Sequence, residues 1–394
     1  MFERIFYSDP FANIVFTVRI STKLELSKFK KTVYNVVNEV LSLNKKFLLD
    51  DSGKIMFNDI LNTKNIYNKM VDINTSNNDE IEVVSSLMKK AFNLQQGDVF
   101  RIILCEEVES TLICFAIHHL VADARSFLLL IKKILCNLDG VHSDVLEEHI
   151  CEDNYESVEL SNREKFLLST INNKKWNNQY FYDKYEKLIE NIYSENRLCI
   201  NKEIVQSQQL KSILTYCKKN HISLTSYISS ELFIKKQFEC IVIPVDHRPS
   251  VNAFGNFISR IEISNDMLRN KKNNLEVCRT INQKISNCKE SEEWKRTEML
   301  FRKINPLFFD ELSFKIYSDN CPGDIQRFAN VLNIKSRKRT MGVISNIGAV
   351  SLPKFSNFSV KDIVFYPPPA LECKKIYGLV TYNENLYIST QNYT

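Results

Sequence analysis

Two histidines stand side by side at His118 and His119, followed by Leu120, Val121, Ala122 and Asp123, in a chain that has six histidines in all. Imidazole is the side chain whose ordinary pKa lies closest to neutrality, so a histidine held at a strand end is suited to taking a proton from a reacting group. The run Thr111 to Ile117 before the pair is apolar and reads as a strand, and Ser126 to Ile131 after it reads as a helix start. A strand, a loop bearing ionisable groups and a helix start together point to general-base chemistry. Asp123 stands just before the helix, where an aspartate caps free backbone amides.

Other chemistries fit poorly. Adjacent residues on a strand point to opposite sides, so His118 and His119 do not converge on one metal ion with Asp123. No Gly-x-Ser-x-Gly elbow offers a serine nucleophile. With only eight glycines, neither a phosphate loop nor a dinucleotide fingerprint can be assembled.

The six residues resemble the His-His-x-x-x-Asp signature of the chloramphenicol-acetyltransferase-like superfamily. That group includes the condensation domains of nonribosomal peptide synthetases and the alcohol O-acetyltransferases. The usual glycine after the aspartate is replaced by Ala124. Further segments are similar in the same order: Ala91 to Ile102, Val245-Asp246-His247-Arg248-Pro249, Gly255-Asn256-Phe257, Ile344 to Gly348, Pro367-Pro368-Pro369 and Asn385 to Ser389.

The resemblance implies an α/β fold of two related subdomains, about 1–195 and 196–394, meeting at a tunnel that holds the site. It implies that His119 is the base, that His118 is structural, and that Asp123 forms a buried salt bridge with Arg248 rather than touching substrate. The aspartate therefore has two readings, cap and ion-pair partner. Oxyanion or tunnel roles fall to Ser345, Asn346 and Gly348, against the alternative that these merely end a strand; Gly255 and Asn256 read as structural.

The implied reaction moves an acyl group from a thioester to an alcohol or amine without an acyl-enzyme. The co-substrate is acyl-coenzyme A or a phosphopantetheine thioester on an acyl carrier protein, and no tightly bound cofactor is expected. The free-standing length and the tail favour coenzyme A. A free-standing condensation domain using carrier-bound donors is the alternative within this class, and a non-catalytic binding relative is the alternative outside it.

Composition sets the frame. The chain has 394 residues, 44% of them hydrophobic and 25% charged, which suits a globular protein with an ordinary core. No run approaches the roughly 18 apolar residues of a membrane span, and the start, with Glu3 and Pro10, lacks the order of a signal peptide. A cytoplasmic setting is expected. The 11 cysteines include no Cys-x-x-Cys pair, and several sit in apolar runs (Cys105, Cys114, Cys199), so they read as buried thiols. The net charge of +5 is spread over Lys- and Asn-rich segments, with no basic stripe interleaved with aromatics, so nucleic acid is not an expected partner. One denser cluster, Lys335, Arg337, Lys338 and Arg339, reads either as a solvated loop or as a phosphate contact.

Periodicity gives the remaining elements. Ile14 to Ile20 is β-branched and aromatic, as strands require. Leu26, Phe29, Val33, Val36, Val37 and Val40 follow helical spacing, predicting a helix over about 26–43 with Ser27 as cap. Ile81 to Ala91 predicts a second helix, leading to a strand from Phe100 to Cys105. Residues of about 140–200, with Trp176, Tyr180, Phe181, Tyr182 and Tyr185, read as a joining loop with one or two helices. Helices about Leu210 to Cys217 and Ser223 to Phe233, then a strand from Cys240 to Val245, open the second half.

Overall fold

The computed structural model describes residues 6–60, 71–73, 79–148, 159–174, 187–188, 190–191, 193–235, 238–271, 273–291, 293–309, 341–370 and 373–394. Two sheets organise these residues. The first, of five strands, has the order β13-β1-β6-β5-β4, where β1 is Asn13–Ile20, β4 Val71–Ile73, β5 Phe100–Glu106, β6 Thr111–His118 and β13 Val360–Tyr366. The second, of six strands, has the order β11-β9-β12-β14-β15-β8. Its strands are β8 Leu198–Val205, β9 Cys240–Asp246, β11 Ile258–Ser264, β12 Met341–Ala349, β14 Cys373–Tyr382 and β15 Asn385–Tyr393. Mixed sheets of this kind with helices on them are an α/β architecture, as expected from the sequence.

The apolar run before the histidines forms β6, and every residue of that strand is buried. A strand apolar along its whole length must be covered on both faces. On one face Phe16 and Phe115 are register partners in β1 and β6, and the Phe16 ring meets Phe127 of the helix α3 (Ala124–Asp139) at 5.5 Å edge-on. Each such buried ring contributes about 1.5–3 kcal/mol. On the other face Thr17, paired with Cys114, donates to Glu80 of α2 (Glu80–Lys89) at 2.8 Å. The first helix, α1 (Leu26–Glu39), buries Phe29, Val33, Val36 and Val37. It is shorter than its periodicity predicts: Leu41–Asn44 tightens into a 3₁₀ turn that feeds strand β2 (Lys45–Leu49). Nor does Ser27 cap it. Glu25 occupies the cap position without a side-chain cap bond, and the Ser27 hydroxyl is hydrogen-bonded to the Glu25 carboxylate.

Strand β13 comes from the far end of the chain and pairs antiparallel with β1. A buried polar cluster reinforces this exchange. Glu80 accepts from Tyr366 of β13 at 3.0 Å, from Arg19 of β1 at 3.0 Å and from Lys202 of β8 at 2.6 Å. Burial opposes ionisation of Glu80, yet the hydrogen bond and charge of Lys202, with the Thr17 and Tyr366 hydroxyls, hold its carboxyl below the usual range. The first sheet is thereby tied to β8 of the second.

In the second half, α5 (Ser207–Lys219), α6 (Leu224–Ile234) and α7 (Asn274–Glu290) bury Leu210, Leu232, Phe233, Val277 and Ile281 in one cluster with Ile241, Ile243 and Leu379 of the sheet. Ser223 caps α6, its side chain accepting from the Ser226 amide. Two further helices, α4 (Asn162–Asn172) and α8 (Glu293–Lys303), contact each other. Nine cysteines are free among the described residues, seven of them buried. No helix among the described residues is long and apolar enough to cross a membrane. The aromatic cluster from Trp176 to Tyr185 and the basic residues Lys335, Arg337, Lys338 and Arg339 lie outside the described residues.

Candidate active site

His118 ends β6 and His119 begins the loop into α3. The loop is pinned by its backbone: the His118 amide donates to the Val99 carbonyl at 2.9 Å, the His119 amide to Ala12 at 2.8 Å and the Val121 amide to His118 at 3.0 Å. Both ring nitrogens of His118 are engaged. Nδ1 accepts from the Leu120 amide at 3.2 Å, so the ring proton is on Nε2, which donates to the Asp9 carbonyl at 2.9 Å. Burial pushes its pKa down to about 3, and the ring is neutral. With both nitrogens engaged, it has no lone pair left for substrate or metal.

His119 differs in the one respect that matters for proton transfer. Its Nδ1 lies 3.1 Å from Asn256 Oδ1. The orientation of that amide is set elsewhere: Asn256 Nδ2 donates to the carbonyls of His119 and Leu120, at 2.8 and 3.0 Å. Its oxygen must then face the ring, which places the His119 proton on Nδ1 and leaves the Nε2 lone pair uncommitted among the described residues. Phe6 stacks on the imidazole at 4.0 Å and 9°, holding the ring plane. Burial lowers the His119 pKa, partly offset by a hydrogen bond to its own backbone, the Asp123 charge and the Asn256 hydrogen bond, so the ring is neutral at pH 7 and able to accept a proton.

Asp123 serves both readings at once. Its Oδ1 accepts from the Ser126 amide at 2.8 Å, as the cap of α3, and from Arg248 Nη2 at 2.8 Å. Its Oδ2 accepts from the Phe257 amide at 3.0 Å. The carboxylate is 2% exposed and Arg248 10% exposed. Arg248 also donates through Nε to both oxygens of Asp246, at 3.0 and 2.8 Å, and through Nη1 to the Ala253 carbonyl at 3.1 Å. Arg125 reaches Asp246 at 3.1 Å and the Ile347 carbonyl of β12 at 3.1 Å. A continuous chain of alternating charge, Asp123–Arg248–Asp246–Arg125, therefore joins the loop to β9 and β12.

The crossing segment is equally specific. Gly255 has φ of 151°, a conformation that side chains rarely adopt. Its carbonyl accepts from the Asp123 amide at 3.0 Å and the Ser126 hydroxyl at 2.8 Å, and its amide donates to that hydroxyl at 3.1 Å. This close approach delivers Asn256 to the His119 ring. Ala124, by contrast, opens α3 with no positive φ, so its backbone asks nothing of it that only glycine provides.

Ser345, Asn346 and Gly348 lie on β12, between β9 and β14. Asn346 Nδ2 donates to the Thr225 hydroxyl at 3.0 Å, and the Gly348 amide donates to Asn346 Oδ1 at 2.9 Å. Those donors are used within the second half, while no described residue hydrogen-bonds the Ser345 hydroxyl. Sequence reasoning missed Phe6, Arg125 and Asp246 and assigned Asn256 no direct part in the site. Spacing carried no signal for Phe6 or Arg125. Asp246 stood two residues before Arg248, where its charge was legible but its partner was not.

Residues 1–145 match the family model described as Condensation domain. No curated protein matches the sequence. Solved structures match along nearly the whole chain. The first condensation domain of the calcium-dependent antibiotic synthetase, in complex with substrate analogue 2a, gives TM-score 0.65 at 10% identity, over 99% of this chain and 89% of that one. The condensation domain of Monacolin K polyketide synthase MokA gives 0.60 at 8%, over 99% and 90%. A mutant starter condensation domain of rhizomide synthetase RzmA, in complex with C8-CoA, gives 0.56 at 12%, over 99% and 86%. At such identities the likeness is one of fold. The chain has the chloramphenicol-acetyltransferase-like fold of condensation domains, and its first 145 residues carry their sequence pattern.

Proposed function

We propose that the protein is an acyltransferase that moves an acyl group from a thioester, acyl-coenzyme A in the first instance, to an alcohol or amine. The observation that carries this reading is the uncommitted Nε2 of a buried, neutral His119 whose proton is fixed on Nδ1 by Asn256. His119 Nε2 takes the acceptor's proton as the acceptor oxygen or nitrogen attacks the thioester carbonyl. The tetrahedral intermediate collapses, breaking the C–S bond, and the imidazolium returns the proton to the leaving thiolate. A base so placed is worth about 10²- to 10⁴-fold in rate. His118, Asp123 and Arg248 support the loop without touching substrate. Of the β12 residues, Ser345 is the side-chain donor we assign to the developing oxyanion.

Two donors of the same chemistry are distinguishable. RzmA's domain was solved with C8-CoA, which supports the coenzyme A reading for this chain. The test is mass spectrometry of the protein with a panel of acyl-coenzyme A donors and pooled alcohols and amines, wild type beside His119→Ala. A product lost in the variant, with the fold kept, supports the reading. Transfer only from carrier-bound thioesters replaces coenzyme A with a carrier protein, and silence with both overturns catalysis in favour of a binding protein.

A further inference from the structure

A serine and a histidine are paired outside the His119 site. Strand β11 is the edge of the second sheet, and it borders a cavity of about 590 Å³ to which α4, α7 and α8 also contribute residues. Ser259 faces this cavity, with Ile261, Cys288, Trp294 and Phe301 also on its wall. Behind the serine stands His247, its Nε2 2.7 Å from Ser259 Oγ. Trp294 stacks on His247 at 4.5 Å and 20°, fixing the ring plane as a third group must if a base is to stay aligned with its nucleophile. Burial lowers the His247 pKa despite the neighbouring Asp246 charge, which keeps the imidazole neutral at pH 7. Cys288 Sγ lies 3.7 Å from Ser259 Oγ.

The hydrogen bond of 2.7 Å between Ser259 and His247 is within the reach that a nucleophile and its base require. A serine needed only to satisfy a histidine could be buried with it, whereas this one opens on a cavity large enough for a small ligand. We propose that Ser259, with His247 as its base, is an acylation site for small activated esters or thioesters, separate from the transfer at His119. The Ser259 oxygen forms the new bond to the acyl carbon, and its proton passes to His247 Nε2. The bond from the acyl carbon to the leaving oxygen or sulfur breaks, and the leaving group takes the proton. Water, activated by the same imidazole, then releases the acid and restores the serine. Ile261, Trp294 and Phe301 offer an apolar patch for a short acyl group, in a lining otherwise polar and charged, with Arg260, Glu262, Lys284 and Arg296.

The test uses p-nitrophenyl acetate, which asks nothing of a coenzyme A or carrier donor, so its outcome is independent of the proposal for His119. Nitrophenolate release is followed on the intact protein, and the acetyl group is located by peptide mass spectrometry. Acetyl on Ser259 is expected in the wild type, in His119→Ala and in Cys288→Ala, and none in Ser259→Ala. In His247→Gln acylation should slow about 100-fold or more. Should that variant fold poorly, Ser259→Cys, which keeps a nucleophile against the base, should retain acetylation at position 259. Acetyl on Cys288 or on surface lysines alone, or an acylation rate at Ser259 indifferent to His247→Gln, overturns the proposal.

Discussion

Removing Asp123 and removing Arg248 should not cost the same, although they are partners. Asp123→Ala deletes one ion pair and two hydrogen bonds from the Ser126 and Phe257 amides. Arg248 is then left with Asp246 and the Ala253 carbonyl, so its charge stays compensated. Loss of the cap costs about 1 kcal/mol, loss of the charged contact with Arg248 about 1.5–3 kcal/mol and the Phe257 amide left without its acceptor about 1 kcal/mol, for a total of about 4 kcal/mol. Arg248→Ala leaves the Asp123 charge in a site 2% exposed with only amide donors. Asp246 is then held by Arg125, itself 48% exposed. Stranding a buried charge costs about 3–5 kcal/mol and the Ala253 carbonyl loses a charged donor worth about 1.5 kcal/mol, so this variant should be the worse of the two by about 1 kcal/mol. Against the roughly 5–15 kcal/mol of an ordinary domain, either loss is severe. Urea unfolding of both single variants and of the double variant supplies the numbers, with a coupling of about 2 kcal/mol expected from the cycle. Equal costs, or a coupling near zero, would refute the view that the four-member charge chain holds the loop.

Three further outcomes are expected. Asn256→Ala should lower kcat by about 10-fold or more through loss of the His119 tautomer, with no additional loss when combined with His119→Ala; additive losses in the double variant would place Asn256 elsewhere in the reaction. Stability should fall as pH drops below 6.5, because the unfolded chain binds protons that His118, with its pKa pushed down to about 3, and His119 refuse in the folded state. Each such group contributes a slope of about 1.4 kcal/mol per pH unit within its window, His118→Gln should flatten the urea-derived profile, and the acid limb of kcat/KM should lie below 6.5; a limb above that value would contradict a buried, unpaired base. Ala124→Gly should destabilise by up to about 1 kcal/mol, since the position is helical and glycine there only adds unfolded-state entropy; a gain in thermal stability would show strain at Ala124 that its backbone angles do not reveal.

Much of this was legible from residues alone, for a physical reason. The unbroken apolar run of β6 could be satisfied only by burial on both faces, and a histidine pair at its end could only be carried into a loop. The helix start after Asp123 was encoded locally by a cap and a 3.6-residue period. Local sequence in this sense marked the histidine pair, the proposed base among them, and the capping aspartate. Where α1 ends was less legible, because Val40 and Leu43 continue the helical spacing while the chain turns at Leu41 to enter β2.

Tertiary structure decided what spacing cannot encode. Which nitrogen of His119 carries the proton depends on an amide 137 residues away, whose own orientation depends on two backbone carbonyls of the loop it serves. Whether Asp123 was a cap or an ion-pair partner had no answer in sequence, because a carboxylate has enough lone pairs for both and only the approach of Arg248 shows that both are used. The return of β13 to the first sheet, with Tyr366 on Glu80 across 286 residues, is likewise a long-range pairing. Periodicity reports which face of a strand is apolar; it carries no information on which strand will lie beside it.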